Sequence, residues 1–243
     1  MLTKFDEIPA SERVIVALDC SADEAIALAD KLAGKASWVK IGMTLYYAEG
    51  PAIVALFKRR GFKVFLDLKF HDIPHQVEGA ARSAAASGAD MITMHTVGGV
   101  AMMQAAQRGA QDGARSIGAE TPATLGITVL TSMDDETLAA TGVTRPLTEQ
   151  VRALAGQARE AGIAGVVASP QEASMLREVL GPDAYIVTPG VRPAGAALGD
   201  QSRVATPDQA FAAGASHIVV GRPITQADDP LAAFEAIAEQ LDS

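Results

Sequence analysis

The chain holds one cysteine, Cys20, among 243 residues, so no disulfide can close within it. That usage fits a reducing compartment. Cys20 follows Asp19 directly and reads as a small packing residue. No apolar run approaches the roughly 20 residues that a membrane-spanning helix needs. The first thirteen residues lack the apolar core of a signal peptide. Positive charge is in deficit: 20 Lys and Arg stand against 29 Asp and Glu, a net −9. This excludes a general nucleic-acid or membrane-surface binder, and an anionic ligand would need a local positive site working against the overall field. Linker-like and low-complexity stretches are missing too. A soluble cytoplasmic protein is expected, with neither nucleic acid nor membrane as partner.

What is present is a core. Apolar residues make up 49% of the chain, ample for one large domain. Short apolar runs recur at residues 14–19, 37–42, 61–66, 90–96, 123–130, 165–168, 184–188 and 217–220. Helical segments fall between them. Ser21 and Glu24 form a capping box for a helix reaching about residue 34. Further helices are expected over about 51–60, 74–88, 98–112 and 147–161, from Ser169-Pro170 onward, up to Gly214, and over 230–241. The strands are continuously apolar, as buried parallel strands are. Eight such units in this length predict a single-domain α/β TIM barrel spanning residues 1–243. A doubly wound open sheet would need edge strands with a weaker apolar pattern, and none stands out.

Charge intrudes into this pattern at one place above all. The third strand runs into Asp67, Lys69 and Asp72, with Pro74 suited to the first turn of the next helix. Side chains alternate along a strand, so Asp67 and Lys69 share a face and Leu68 takes the other. One such strand end is explained by a structural ion pair. The other strands repeat the anomaly at the same end: Asp19 after the first, Lys40 in the second, Thr131 after the fifth, Thr188 and Arg192 at the seventh, Gly221 and Arg222 after the eighth. Two lysines and two aspartates converging on one barrel mouth indicate an active site, which TIM barrels place there.

The last two strands suggest a phosphate. Loops after strands seven and eight often hold one, and the backbone N–H groups of Gly221 and Arg222 with the Arg222 guanidinium suit it. Arg192 and Gln201 lie in the Gly- and Pro-rich segment 189–207, which fits a lid. His71 and His75 flank Asp72 and raise the question of a metal. The two lysines beside the carboxylates take a cation's electrostatic place, so no metal is expected. His95 and His217 read as packing residues, and Tyr46 and Tyr47 fit either the core or a dimer contact.

The run from Asp67 to Pro74 resembles the signature of the orotidine 5′-phosphate decarboxylase family. Residues 16–19, 39–42, 128–132, 188–193, 199–201 and 220–224 resemble further motifs of that family, in the same order. The resemblance implies decarboxylation of orotidine 5′-phosphate to uridine 5′-phosphate, the last step of de novo pyrimidine synthesis. It implies a homodimer of TIM barrels that needs no cofactor. By the same resemblance Lys69 donates a proton to pyrimidine C6, within a network of Lys40, Asp67, Lys69 and the partner's Asp72. The segment Asp67, Leu68, Lys69, Phe70, His71, Asp72, Ile73, Pro74, His75 and Gln76 would line the substrate. Asp19 and Lys40 would touch the ribose, Thr131 or Ser132 the pyrimidine, and Arg192, Gln201, Gly221 and Arg222 the phosphate. The family commonly reads Asp-Ile-Pro-Asn-Thr, with the threonine reaching a ribose across the dimer. Here His75-Gln76 stands in that place, and the Gln76 amide still donates and accepts hydrogen bonds.

Overall fold

The structure, a computed structural model, describes residues 3–193 and 205–242. Eight parallel strands close into a barrel in sequence order, each paired with the next and the eighth with the first. The strands are β1 (Val14–Leu18), β2 (Trp38–Gly42), β3 (Lys63–Phe70), β4 (Met91–His95), β5 (Ala123–Ile127), β6 (Gly165–Val167), β7 (Tyr185–Thr188) and β8 (His217–Val220). The helices that pack outside them begin with α1 (Ala22–Leu32), which carries the capping box between Ser21 and Glu24. Then come α2 (Met43–Glu49), α3 (Ala52–Arg59), α4 (Pro74–Ala86), α5 (Gly99–Ser116), α6 (Asp135–Ala140), α7 (Leu147–Ala161), α8 (Ala173–Leu180), α9 (Pro207–Ala212), α10 (Arg222–Thr225) and α11 (Pro230–Asp242). This is the TIM barrel that the sequence predicts. Among the described residues no helix is long and apolar enough to cross a membrane.

Three helices go beyond the expected set. Helix α2 fits between β2 and α3 and stops at Gly50, whose φ of 69° ends the turn. Asp134 caps α6 by accepting from the Thr137 N–H, so the acidic stretch is a helix start rather than open loop. Helix α10 is a single turn directly after β8.

Two cores result from the strand period of two. Val14, Val16, Leu18, Val39, Ile41, Val64 and Leu66 face outward and are covered by the helices. Ile15, Ala17, Trp38, Phe65, Met91, Leu125, Val167, Val187 and Val219 face inward and fill the barrel. The positions that come next on the inward face of β1, β2 and β3 are Asp19, Lys40 and Asp67. The barrel interior is thus apolar up to a layer near its C-terminal end, and charge begins there.

The opposite end is sealed by aromatic side chains. Phe5, ahead of β1, lies edge-on to Tyr185 at 4.9 Å and to His217 at 5.8 Å, and Trp38 meets His217 at 5.6 Å. His217 is therefore a packing residue, as its apolar strand suggests. Burial pushes its pKa down to about 3, helped by the charges of Arg13 and Lys63.

Folded protein keeps His217 neutral, whereas the unfolded chain binds a proton there below its ordinary value of 6.5. Stability conferred by the neutral ring is complete above that value and declines as pH falls toward the folded pKa. Unfolding free energy is expected to drop by up to about 1.4 kcal/mol per pH unit on this account. His217→Phe should flatten the decline, read by denaturant titration between pH 6.5 and 4.5. An unchanged slope would mean that the ring is already accessible to protons.

Candidate active site

At the C-terminal end of the barrel lies an open cavity of about 770 Å³. Its floor is the upper inward layer of the barrel, including Phe65, Ile127, Val167 and Val219. Across that floor runs a line of alternating charge. Lys40 Nζ donates to Asp19 Oδ1 at 2.8 Å and stands 3.8 Å from Asp67 Oδ2. Lys69 Nζ donates to the same Asp67 Oδ2 at 2.8 Å. Side-chain exposure rises from 11% for Lys40 and 12% for Asp67 to 26% for Lys69 and 63% for Asp19. The innermost members are thus the ones with most neighbours of opposite sign, which is how buried charge is tolerated.

Burial alone would raise the pKa of Asp67. The ammonium groups of Lys40 and Lys69 and hydrogen bonds from Lys69 and Thr93 outweigh it, and the carboxyl is held below its ordinary value of 3.8. Asp67 is an anion at neutral pH.

Asp67 and Lys69, expected on one face by strand alternation, do meet through their side chains. The route differs from a regular strand. Leu66 pairs with Ile92 and Phe70 with Met94, so three residues of β3 stand against the single Thr93 of β4. Lys69 takes φ 53°, the one non-glycine residue with positive φ among those described. Left-handed backbone at a non-glycine residue costs free energy and persists only where its surroundings hold it.

Gly42, at the end of β2, lies opposite Asp67. A Cβ there would come within 2.9 Å of Asp19 Oδ1 and 3.2 Å of Lys40 Nζ. Glycine leaves room for this pair to close over the strand end.

At the rim, Thr131 and Ser132 after β5, Arg192 after β7, and Gly221 and Arg222 after β8 all line the cavity. The Arg192 N–H donates to the Ala205 carbonyl at 2.9 Å, which ties the chain before residue 194 to the chain after residue 204. Among the described residues a Cβ on Gly221 would touch only the Ala17 methyl, at 3.6 Å, which leaves its cavity side open to them.

A family model described as orotidine 5′-phosphate decarboxylase / HUMPS matches residues 12–237. The chain belongs to this family. It is similar to the orotidine 5′-phosphate decarboxylase of Moorella thermoacetica, with 48% identity over 245 residues, 99% of this chain and 96% of the relative. The like-named protein of Anaeromyxobacter sp. (strain K) is 51% identical over 234 residues, 95% of this chain and 99% of the relative. Among solved structures, that of orotidine 5′-phosphate decarboxylase from Lactobacillus acidophilus superposes with a TM-score of 0.85 at 39% identity. That match covers 96% of this chain and 100% of the other.

The residues expected from the family resemblance that are described divide into two groups. Asp19, Lys40, Asp67, Lys69, Thr131, Ser132, Arg192, Gly221 and Arg222 line the cavity. Leu68, Phe70, His71, Asp72, Ile73, Pro74, His75 and Gln76 are not among its lining residues. Leu68 is buried on the outward face, while residues 71–76 are exposed. Asp72 turns back on its own chain, its carboxylate accepting from the Ile73 N–H at 2.6 Å. Gln201 lies outside the described residues. His95, expected to be packing, is at the end of β4 with its ring 5.4 Å from His71. Its pKa is lowered by burial first and then by His71 and Lys69, with Asp67 opposing. Among the described residues no three His, Cys, Asp or Glu gather to hold a metal ion.

Asp67→Asn would leave the two ammonium groups without the anion they share. A loss of roughly 3 kcal/mol at pH 7 is expected from breaking a buried network. The gap should narrow as pH falls below 3.8 through the lower folded pKa, because the wild-type carboxyl then becomes neutral. Urea unfolding at pH 7 and near the acid limit measures both. A gap that stays constant would mean that Asp67 is already protonated at pH 7.

Proposed function

We propose that the chain decarboxylates orotidine 5′-phosphate to uridine 5′-phosphate and carbon dioxide, the last step of pyrimidine nucleotide synthesis, as a cytoplasmic enzyme. One barrel domain spanning the chain carries the reaction. The observation that supports this most is the Asp19–Lys40–Asp67–Lys69 line across the floor of a cavity whose rim carries Arg192, Gly221 and Arg222. It gives one cavity both a proton donor held by a carboxylate and a separate grip for a phosphate. The named relatives support the choice of substrate.

In this reading the C6–carboxylate bond breaks, carbon dioxide leaves, and the electron pair stays on C6. The pyrimidine ring offers that pair no conjugated sink. A fixed ammonium aimed at C6 stabilises the charge as it develops. Lys69 then gives a proton to C6 and is reprotonated from solvent. Asp67, held ionised between Lys40 and Lys69, holds the donor in place. The anionic Asp67 also crowds the substrate carboxylate, a smaller contribution. Lys40 and Asp19 bond the ribose, and Thr131 or Ser132 meets the pyrimidine. Arg192, Gln201, Gly221 and Arg222 hold the phosphate, far enough from C6 that its binding assembles the site rather than reacting.

Asp72 fits a shared site. It is exposed and faces its own backbone, and hydrophobic Met43, Tyr47, Ile73 and Val97 are exposed at the ends of β2, β3 and β4. These three strands are neighbours at the cavity end. A second copy docked there would cover the apolar side chains and bring its Asp72 to the Lys69 of this copy. His75 and Gln76 would approach the partner's ribose by the same docking.

The chemistry as proposed uses neither cofactor nor metal. Purified protein should therefore consume orotidine 5′-phosphate, followed by its absorbance, equally well with EDTA present. Loss of activity in EDTA would favour a metal-dependent sugar-phosphate relative within the same family. Lys69→Ala should abolish turnover while leaving the fold intact. Arg222→Ala should act mainly by weakening phosphate binding, so normal kcat/KM in that variant would refute its assignment. Mixing Lys69→Ala with Asp72→Asn subunits should restore about a quarter of the wild-type sites, since half the dimers are mixed and each regains one. No recovery after verified subunit exchange would place Asp72 in its own subunit's site.

A further inference from the structure

Thr93 is on the middle of β4 and is wholly buried. It is the residue that the β3 bulge leaves without a regular partner: Ile92 pairs with Leu66, Met94 pairs with Phe70, and three residues face Thr93. A bulge strips backbone groups of their ladder partners, and a buried N–H without an acceptor is costly. The Thr93 hydroxyl answers both needs of the bulge. Its oxygen accepts from the Lys69 backbone N–H at 2.9 Å, and its proton goes to Asp67 Oδ1 at 2.9 Å.

The division of the Asp67 carboxylate is informative. Oδ2 faces the two ammonium groups, Lys69 at 2.8 Å and Lys40 at 3.8 Å. Oδ1 is taken by Thr93. With one oxygen pulled from each side, the carboxylate plane cannot rotate to give Lys69 a different approach. The same hydroxyl holds the lysine's own backbone in its left-handed conformation, φ 53°. One β-branched side chain, stiff about its first torsion, thus sets both ends of the Asp67–Lys69 contact from a neighbouring strand.

We infer that Thr93 is a positioning residue for Lys69, fixing the direction in which its ammonium is presented to the reacting carbon. The inference rests on the decarboxylase reading above and deepens it. Thr93 is set below the charge line and away from the phosphate-binding rim. Its removal should therefore act on the chemical step and leave substrate capture alone.

The test compares Thr93→Val, which keeps shape and removes the hydroxyl, with Thr93→Ser, which keeps the hydroxyl and removes the methyl. Steady-state kinetics with orotidine 5′-phosphate should give a kcat about tenfold to a hundredfold lower for the valine variant, the range for losing a hydrogen bond to a charged group. KM should stay within about threefold, because the lost interaction is not one that holds the phosphate. The serine variant should keep kcat within about threefold of wild type, since its hydroxyl offers the same donor and acceptors. Should Thr93→Val fail to accumulate as folded protein, Thr93→Ala set against Thr93→Ser gives the same comparison. An active wild type whose valine or alanine variant keeps its kcat, or a serine variant that falls as far, would overturn the inference alone. A wild type that leaves the nucleotide unchanged would overturn the decarboxylase reading and this inference with it.

Discussion

The structure depends on an alternation of charge held at the edge of an apolar interior. Asp19, Lys40, Asp67 and Lys69 come from three adjacent strands, and each has a neighbour of opposite sign. None of the inner three would be tolerated alone at that depth. As a line they offset one another's cost in the free protein, with the exposed Asp19 at one end and the partly exposed ammonium of Lys69 at the other. The barrel makes this possible because every strand delivers its next inward side chain to the same layer. Below the layer the interior is sealed by Phe65, Met91, Leu125 and their neighbours, and then by the ring cluster around His217. The packed, apolar interior below the layer screens the buried part of the charge line only weakly.

A strict strand would not present Lys69 this way. The β3 bulge adds two residues against β4 and turns the lysine into a left-handed conformation that its side chain would otherwise avoid. Local backbone regularity is given up where the Lys69 ammonium faces the cavity beside its carboxylate. The cost is met by neighbouring groups: the Thr93 hydroxyl, the Lys40 ammonium and the missing side chain of Gly42. The rim follows a different logic. The chain carries a net −9, so on the proposed reading a phosphate would be drawn by Arg192, Arg222 and the open backbone at Gly221 against the long-range field. In that reading, reaction and capture are held by different strands.

Much of this was readable from residue order because charge inside an apolar run is an anomaly with few explanations. Lys40 within β2 and Asp67 within β3 stood out for that reason, and the bounds of β8 and α7 follow from clean punctuation by glycine and proline. Thr93 gave no such signal. A threonine in a strand is what β propensity favours anyway, and only the bulge opposite gives its hydroxyl a purpose. The bulge itself left no mark, since Asp67-Leu68-Lys69 alternates as a regular strand does. Gly42 ends its strand as many glycines do, and nothing beside it in sequence marks the Asp19–Lys40 pair that closes over it. Phe5 is far in sequence from Tyr185 and His217, and such distant packing has no local pattern. Helices α2 and α10 are too short to show a period, and α6 hid behind the acidic residues that cap it.

The central claim is that Lys69 delivers a proton to the carbon that loses carbon dioxide. Turnover of orotidine 5′-phosphate in heavy water, with the product examined by proton NMR, addresses it directly. The account predicts uridine 5′-phosphate carrying deuterium at C6, formed by the wild type and not by a protein lacking the Lys69 amine. Product formed at an undiminished rate without that amine, or no uridine 5′-phosphate from the wild type, would contradict it.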